Sequence, residues 1–187
     1  MNRQQTLVFA GAGATVAAAA GLVLGLRKPR VTEYGVMRTA EYVDLERYAG
    51  RWFEIAHIPS RYERHCLKNA TVDYAVRPDG KIHVEARCTQ QDGTVDSTRG
   101  VAQIVDTATN AKWRIKYARA GRWMDYWVLE VGPDYRWAVV GEPKREFLWV
   151  LSRTPGMDEA LYDELRRNAV TQGYDSDKLV RTAQDGA

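Results

Sequence analysis

The sequence is poor in the residues on which most site chemistry is built. Its 187 residues include two cysteines, Cys66 and Cys88, and three histidines, His57, His65 and His83. The histidines are scattered, and His65 beside Cys66 has no further ligand at a recognised metal spacing, so no metal site is expected. A Gly-x-Ser-x-Gly elbow, a phosphate-binding loop and a dinucleotide fingerprint are all missing, which leaves hydrolase and nucleotide chemistry without a motif. Charge of one sign is scarce as well: the formal net charge is +3, from dispersed basic residues. Arg114, Lys116 and Arg119 around Trp113 and Tyr117 read as the solvent face of a strand, not as a basic surface for nucleic acid. Neither a cofactor nor a nucleic-acid partner is expected.

One absence bears on the N-terminus. Residues 6–26 carry no charge and are long enough to cross a bilayer, for which about 20 residues suffice. The Ala17-Ala18-Ala19 triplet offers the small residues of signal cleavage, but the chain stays apolar through Leu26, which favours an uncleaved anchor. The basic cluster Arg27-Lys28-Pro29-Arg30 follows. With no cysteine in this stretch, a bacterial lipoprotein attachment site is excluded. The expected organisation is a signal peptide or membrane anchor over residues 1–30, a linker over 31–40 and one domain over 41–187.

What the chain has in quantity is aromatic residues, ten tyrosines and six tryptophans among them, arranged in short alternating runs. Strands are expected over residues 50–58, 70–76, 82–88, 99–105, 112–118, 126–131, 137–141 and 147–152. Turn signals such as Pro78-Asp79-Gly80, Gln91-Asp92-Gly93 and Gly132-Pro133-Asp134 separate them. Sequential hairpins of this kind predict an all-β, eight-stranded antiparallel up-and-down β-barrel, whose interior has room for one small ligand. The period then changes. Asp158 is a helix N-cap, Leu161, Tyr162, Leu165 and Val170 share a face, and Gly173 stops the helix. One C-terminal α-helix packed on the outside of the barrel is expected, in addition to the N-terminal apolar helix, with a last edge strand over 177–182.

Gly50-Arg51-Trp52 lies within the run Tyr48-Ala49-Gly50-Arg51-Trp52-Phe53-Glu54-Ile55-Ala56, and Arg61-Tyr62-Glu63-Arg64 follows. Further on come Asp134-Tyr135 and Leu148-Trp149-Val150-Leu151-Ser152-Arg153-Thr154-Pro155. In these three ordered motifs the chain resembles the lipocalin family over about residues 42–180, in particular its bacterial outer-membrane and apolipoprotein D-like branch. The second motif departs from the usual pattern, with Pro133 in place of threonine. In physical terms Trp52 plugs the closed end of the barrel, the Arg153 guanidinium stacks on its indole, and Gly50 permits the close approach. These residues, with Asp134 and Tyr135, are read as structural, not as a ligand site.

Alternation along the strands turns Ala56, Val72, Tyr74, Val84, Ala86, Ala102, Ile104, Trp113, Ile115, Tyr117, Tyr126 and Val128 inward, unless the register slips by one residue. Apolar walls with a few phenolic hydroxyls suit an acyl chain with a polar end. Glu54 and Glu130 are expected to face inward too, in ion pairs with arginine. A Cys66–Cys88 disulfide is favoured over two free thiols. The hairpin sets residue 88 opposite residue 70, so the bridge requires a bulge or a curled segment.

The resemblance implies binding, transport or storage of a fatty acid or lysophospholipid in the cell envelope for membrane lipid maintenance, and no enzymatic activity. The barrel is expected in the periplasm, free or anchored through the N-terminal segment, with homodimerisation left open. Two alternatives stand beside this: an enzyme of the same fold using Cys88 as a pocket thiol, and a tetrapyrrole-binding protein.

Overall fold

The computed structural model describes residues 36–60 and 63–186. The expected anchor over residues 1–30, the first half of the linker, Arg61 and Tyr62 lie outside them. Among the described residues no helix is long and apolar enough to cross a membrane.

Eight antiparallel strands follow one another around a closed barrel. They are β1 (Gly50–His57), β2 (Cys66–Val76), β3 (Ile82–Gln90), β4 (Val95–Ile104), β5 (Lys112–Tyr117), β6 (Trp123–Val131), β7 (Trp137–Gly141) and β8 (Leu148–Ser152). Each pairs with its successor, and β1 pairs with both β2 and β8, which closes the ring. A one-turn helix α1 (Leu45–Tyr48) precedes the barrel and α2 (Glu159–Thr171) follows it. A final short strand, β9 (Val180–Arg181), adds to β1. The strands beginning at Cys66 and Val95 start four residues before the expected 70 and 99. The reason is chemical: near the open end the inward positions of β4 are Asp96 and Thr98, so the apolar alternation that betrays a strand is missing there.

Two apolar layers hold the fold. One fills the closed half of the barrel around Tyr48, Trp52, Val84, Ala102, Trp113 and Val128. The other lies between the barrel wall and α2, where Ile55, Leu129, Val139 and Val150 meet Tyr162, Leu165 and Ala169. The Asp158 carboxylate accepts the Leu161 N–H and starts α2 as expected.

Three expectations are corrected here. Ala56 does not face the interior. A bulge between Glu54 and Ala56 adds one residue to β1, so the inward parity ends at Glu54 and Ala56 joins the outer layer. Glu130 faces outward for the same reason, past a register shift between Val128 and Glu130, and its Oε2 accepts a hydrogen bond from Asn168 of α2. On α2, Val170 is 44% exposed and Ala169 is buried instead, because the contact face follows Tyr162, Leu165 and Ala169.

The closed end is organised by one side chain. Trp52 is fully buried and donates from Nε1 to the Tyr48 carbonyl at 2.8 Å. The Arg153 guanidinium carbon lies 3.8 Å from the centre of its ring. From there Arg153 donates to the carbonyls of Arg51, Arg47, Ala49, Tyr48 and Tyr135 at 2.6–3.2 Å. Gly50 has φ +91°, and a Cβ there would sit 3.4 Å from Arg153 Nη1, so glycine serves both backbone and clearance. Tyr135 reaches the same end, where its hydroxyl accepts the Asp44 N–H at 2.8 Å, while Asp134 accepts the Arg136 N–H and closes the local turn. Pro133 in place of threonine leaves this turn intact.

Loss of these charged hydrogen bonds together with the ring contact should cost about 2–4 kcal/mol in Arg153→Ala, read from urea unfolding. Arg153→Lys should recover less than half of that, because an ammonium cannot span five carbonyls as a planar fork does. A change within about 0.5 kcal/mol, typical of surface substitutions, would remove Arg153 from its place as the closing residue.

Candidate ligand cavity

Above the packed floor the barrel opens into a cavity of about 240 Å³. Of the residues expected to line it, Val72, Tyr74, Ala86, Ile115, Tyr117 and Tyr126 do so. Val84, Ala102, Trp113 and Val128 also lie inside the barrel, but beneath the cavity and packed, with Ile104 against them. The strand pattern separates inward from outward residues; it carries nothing about height along the barrel axis. The floor is an aromatic cluster in which Tyr48, Tyr74, Trp113 and Tyr126 stand 5.2–5.9 Å apart.

The phenols of that floor are engaged with one another. Tyr126 places its hydroxyl 2.9 Å from that of Tyr48 and 2.6 Å from that of Tyr74. Burial pushes all three well above the ordinary tyrosine range and keeps them neutral. They therefore end an apolar well and do not offer a free polar receptor at its base.

The polar groups sit at the mouth. Glu54, the last inward residue of β1 before the bulge, meets Glu63 from the β1–β2 loop across the upper cavity wall. The Glu63 carboxylate accepts from Trp149 Nε1 at 2.8 Å and from the Ser60 hydroxyl at 2.9 Å. Burial, and secondarily the charge of Glu54, raise the Glu63 carboxyl above its ordinary value, against the opposing pull of Trp149, His57 and Ser60. Glu54 Oε1 lies 2.8 Å from His57 Nδ1 and accepts from the Thr182 hydroxyl. Burial pulls the His57 imidazole down, but the hydrogen bond and charge of Glu54, with the charge of Glu63, more than offset this and leave it raised. So the partner of Glu54 is histidine, not the arginine expected.

Tyr117 completes the rim. A Cβ on Gly100 would come within 2.9 Å of the Tyr117 ring, so the bare glycine on β4 lets that ring lie across the wall. Burial, then the charges of Glu63 and Glu54, push its phenol up. Sequence reasoning missed Glu63, Trp149, Thr98, Met124 and Leu151 as wall residues. The only pointer to Glu63 was the Arg61-Tyr62-Glu63-Arg64 run, and no alternation rule reaches into a loop.

Cys66 and Cys88 form a disulfide in the wall near the mouth, with Cα atoms 5.5 Å apart. Two register shifts in β2 bring Cys66 opposite Gln90, one diagonal step from Cys88, although the hairpin below pairs Val72 with Ala86. A bridge of this kind stabilises by about 2–4 kcal/mol. Both sulfurs are engaged, and no described cysteine is free to serve as a nucleophile. His65 lies within 4.8 Å of them, since it belongs to the turn before β2 and escapes strand alternation. Its Nε2 is held by Asp96 at 2.9 Å, beside Arg119.

Residues 43–184 match a family model described as a lipocalin-like domain. Temperature-induced lipocalin-1 of Arabidopsis thaliana is 38% identical over 164 residues, which is 82% of this chain and 86% of that protein. The outer membrane lipoprotein Blc of Escherichia coli K12 is 32% identical, over 77% of this chain and 81% of its own length. Apolipoprotein D of Mus musculus is 27% identical, over 77% and 78%. Among solved structures, apocrustacyanin C2 superposes with a TM-score of 0.62 at 15% identity, covering 81% of this chain and 91% of its own. Insecticyanin of the tobacco hornworm does so with 0.61 at 19%, covering 79% and 84%. These two likenesses concern the fold.

The mouth carboxylate makes stability depend on pH in a definite direction. Glu63 holds its proton more tightly in the folded protein than its ordinary 4.5, so its contribution is complete below that pH and is lost as pH rises through the raised value. His57 acts in the same sense above its ordinary 6.5. Glu63→Gln, which keeps an acceptor for Trp149, should therefore flatten the fall in melting temperature between pH 4.5 and neutrality. Parallel profiles for parent and variant would contradict the assignment.

Proposed function

This chain belongs to the lipocalin family, and on that premise we propose that it carries a single-chain lipid, a fatty acid or lysophospholipid, in the cell envelope. Lipocalins bind small hydrophobic molecules and are in general binding and transport proteins, not enzymes. The observation that carries the lipid reading is the shape and polarity of the cavity: an apolar well of about 240 Å³, ending on neutral phenols and ringed by polar groups at one mouth. This shape and polarity support an alkyl chain in the well with its head group at the mouth.

The apolar run over residues 6–26 supports attachment of the barrel to a membrane, on its periplasmic side, where the Cys66–Cys88 bridge would persist. Outer membrane lipoprotein Blc carries an envelope location in its name, and maintenance of membrane lipids is the role proposed here by analogy with that location. The two alternatives fare less well. The bridged cysteines leave a thiol mechanism without its thiol. A tetrapyrrole would find little room, and His65, the lining histidine among the described residues, is held by Asp96.

Burial of each methylene is worth about 0.8 kcal/mol, so affinity across a series of n-alkyl ligands should rise roughly fourfold per carbon until the well is full, then level off. Quenching of barrel tryptophan fluorescence reads this directly. Ala86→Phe, which fills the well from β3, should shift the plateau to shorter chains. Affinity independent of chain length, or no alkyl binding by the folded barrel, would overturn the carrier reading.

A further inference from the structure

Among the described residues, each cationic side chain on the cavity wall already faces a carboxylate. Arg119 lies 2.7 Å from Asp96, His65 lies 2.9 Å from the same group, and Arg87 is 2.6 Å from both Asp73 and Glu85. Among the described lining residues the carboxylates are in excess. Glu54, Glu63, Asp96 and Asp125 all line the cavity. Glu63 receives its hydrogen bonds from neutral donors, Trp149 and Ser60, so its charge is solvated but not neutralised by them. His57 compensates the pair from the outer side, through Glu54 Oε1. Lys68, nearby in the outer groove, is paired with Asp185.

Three atoms near this pair lack a partner among the described residues, and this is independent of the acidic charge. Glu54 is 9% exposed, and its second oxygen, Oε2, accepts from no described residue. Thr98 Oγ1, on the β4 wall, is buried with no hydrogen bond. The Tyr117 hydroxyl on β5 has no partner either, and its phenol lies within the field of both glutamates. Of the three only Thr98 Oγ1 is sealed from solvent, and a buried polar atom without a partner is rare and calls for an explanation; Glu54 Oε2 and the Tyr117 hydroxyl are open to the cavity. All three residues line the one cavity, at whose mouth a ligand head would come to rest.

We infer that the mouth selects the ligand by the charge of its head: the Glu54–Glu63 pair, with Tyr117 and Thr98, receives an ammonium group on a single-chain amphiphile and disfavours a free carboxylate. An ammonium has three donors and no acceptor, which matches a site made of carboxylate and hydroxyl oxygens. A fatty-acid anion placed there would meet like charge in a partly desolvated setting, where repulsion is far stronger than in water. The inference rests on the carrier reading and narrows it from a fatty acid or lysophospholipid to single-chain lipids presenting an amine, setting the free fatty acid aside.

The test uses the full chain and three probes of one chain length, dodecylammonium, dodecanol and dodecanoate, each below its self-association concentration at neutral pH, with binding read by tryptophan fluorescence. Dodecylammonium should bind about tenfold more tightly than dodecanol, and dodecanoate about tenfold more weakly. Glu63→Gln should compress the ammonium-to-carboxylate ratio toward unity. Should that variant fail to fold, the ranking in the parent protein still decides. Equal binding of all three probes, or preference for dodecanoate, overturns the charge selection and leaves the carrier reading standing. Binding of none of them overturns the carrier reading itself.

Discussion

A barrel closed on itself has no edge strands, but it has two ends, and this one can hold a ligand only if one end is shut. The contact between Arg153 and Trp52 does that. The indole alone would fill the opening and leave the turn before β1 with carbonyls pointing at nothing. The guanidinium satisfies them by gathering oxygens from residues 47, 48, 49, 51 and 135 in one plane against the ring. Since those carbonyls come from α1, β1 and the β6–β7 turn, one side chain ties together segments distant in sequence. The three family motifs are therefore not three features but one assembly, and the depth of the cavity is measured from it.

The opposite end is built on different terms. β1 and β2 pair only from Gly50 to Phe53, after which β1 turns to β9. The seam that opens above Phe53 is bridged by the C-terminal segment: Asn69 donates its N–H to the Ala183 carbonyl, and Gln184 Nε2 donates to the carbonyls of Glu54 and Ala70. The disulfide pins β2 to β3 on the far side of the same seam. The bulge at Glu54 is what permits this. By reversing the parity of β1 it sends Ala56 to the outer layer under α2 and leaves Glu54 as the topmost inward residue, beside Thr182 and His57.

These irregularities mark where the sequence ceases to be readable. Eight strands, their order, the late helix with its Asp158 cap and the closing residues were all legible, because alternation, turn residues and an ordered set of motifs are local signals. Ala56, Glu130 and the early starts at Cys66 and Val95 were not. A bulge adds one residue without changing composition, and a strand whose inward positions are polar looks like a loop. The division of the interior into floor and well escaped for a related reason. Val84 and Ala86 sit two residues apart on one face of β3, yet one is packed under the aromatic cluster and the other lines the cavity. Height along the axis depends on strand tilt and neighbours, which no single strand records.

The location of the polar groups is the more telling asymmetry. A buried carboxylate costs several kcal/mol unless it is compensated, and Glu63 is compensated by neutral donors and by a histidine that acts through Glu54. A container selected only for greasiness would do better with glutamine or leucine at both positions. In the floor each of the three buried phenol oxygens has a hydrogen-bond partner in another. At the mouth the same interior buries Thr98 Oγ1 without a partner among the described residues and leaves Glu54 and Tyr117 on the cavity wall. The two ends of one cavity thus differ in kind: the floor pairs its buried hydroxyls with one another, and the mouth keeps carboxylates and hydroxyls turned to the open space, which is the asymmetry on which the proposed recognition of a head group rests.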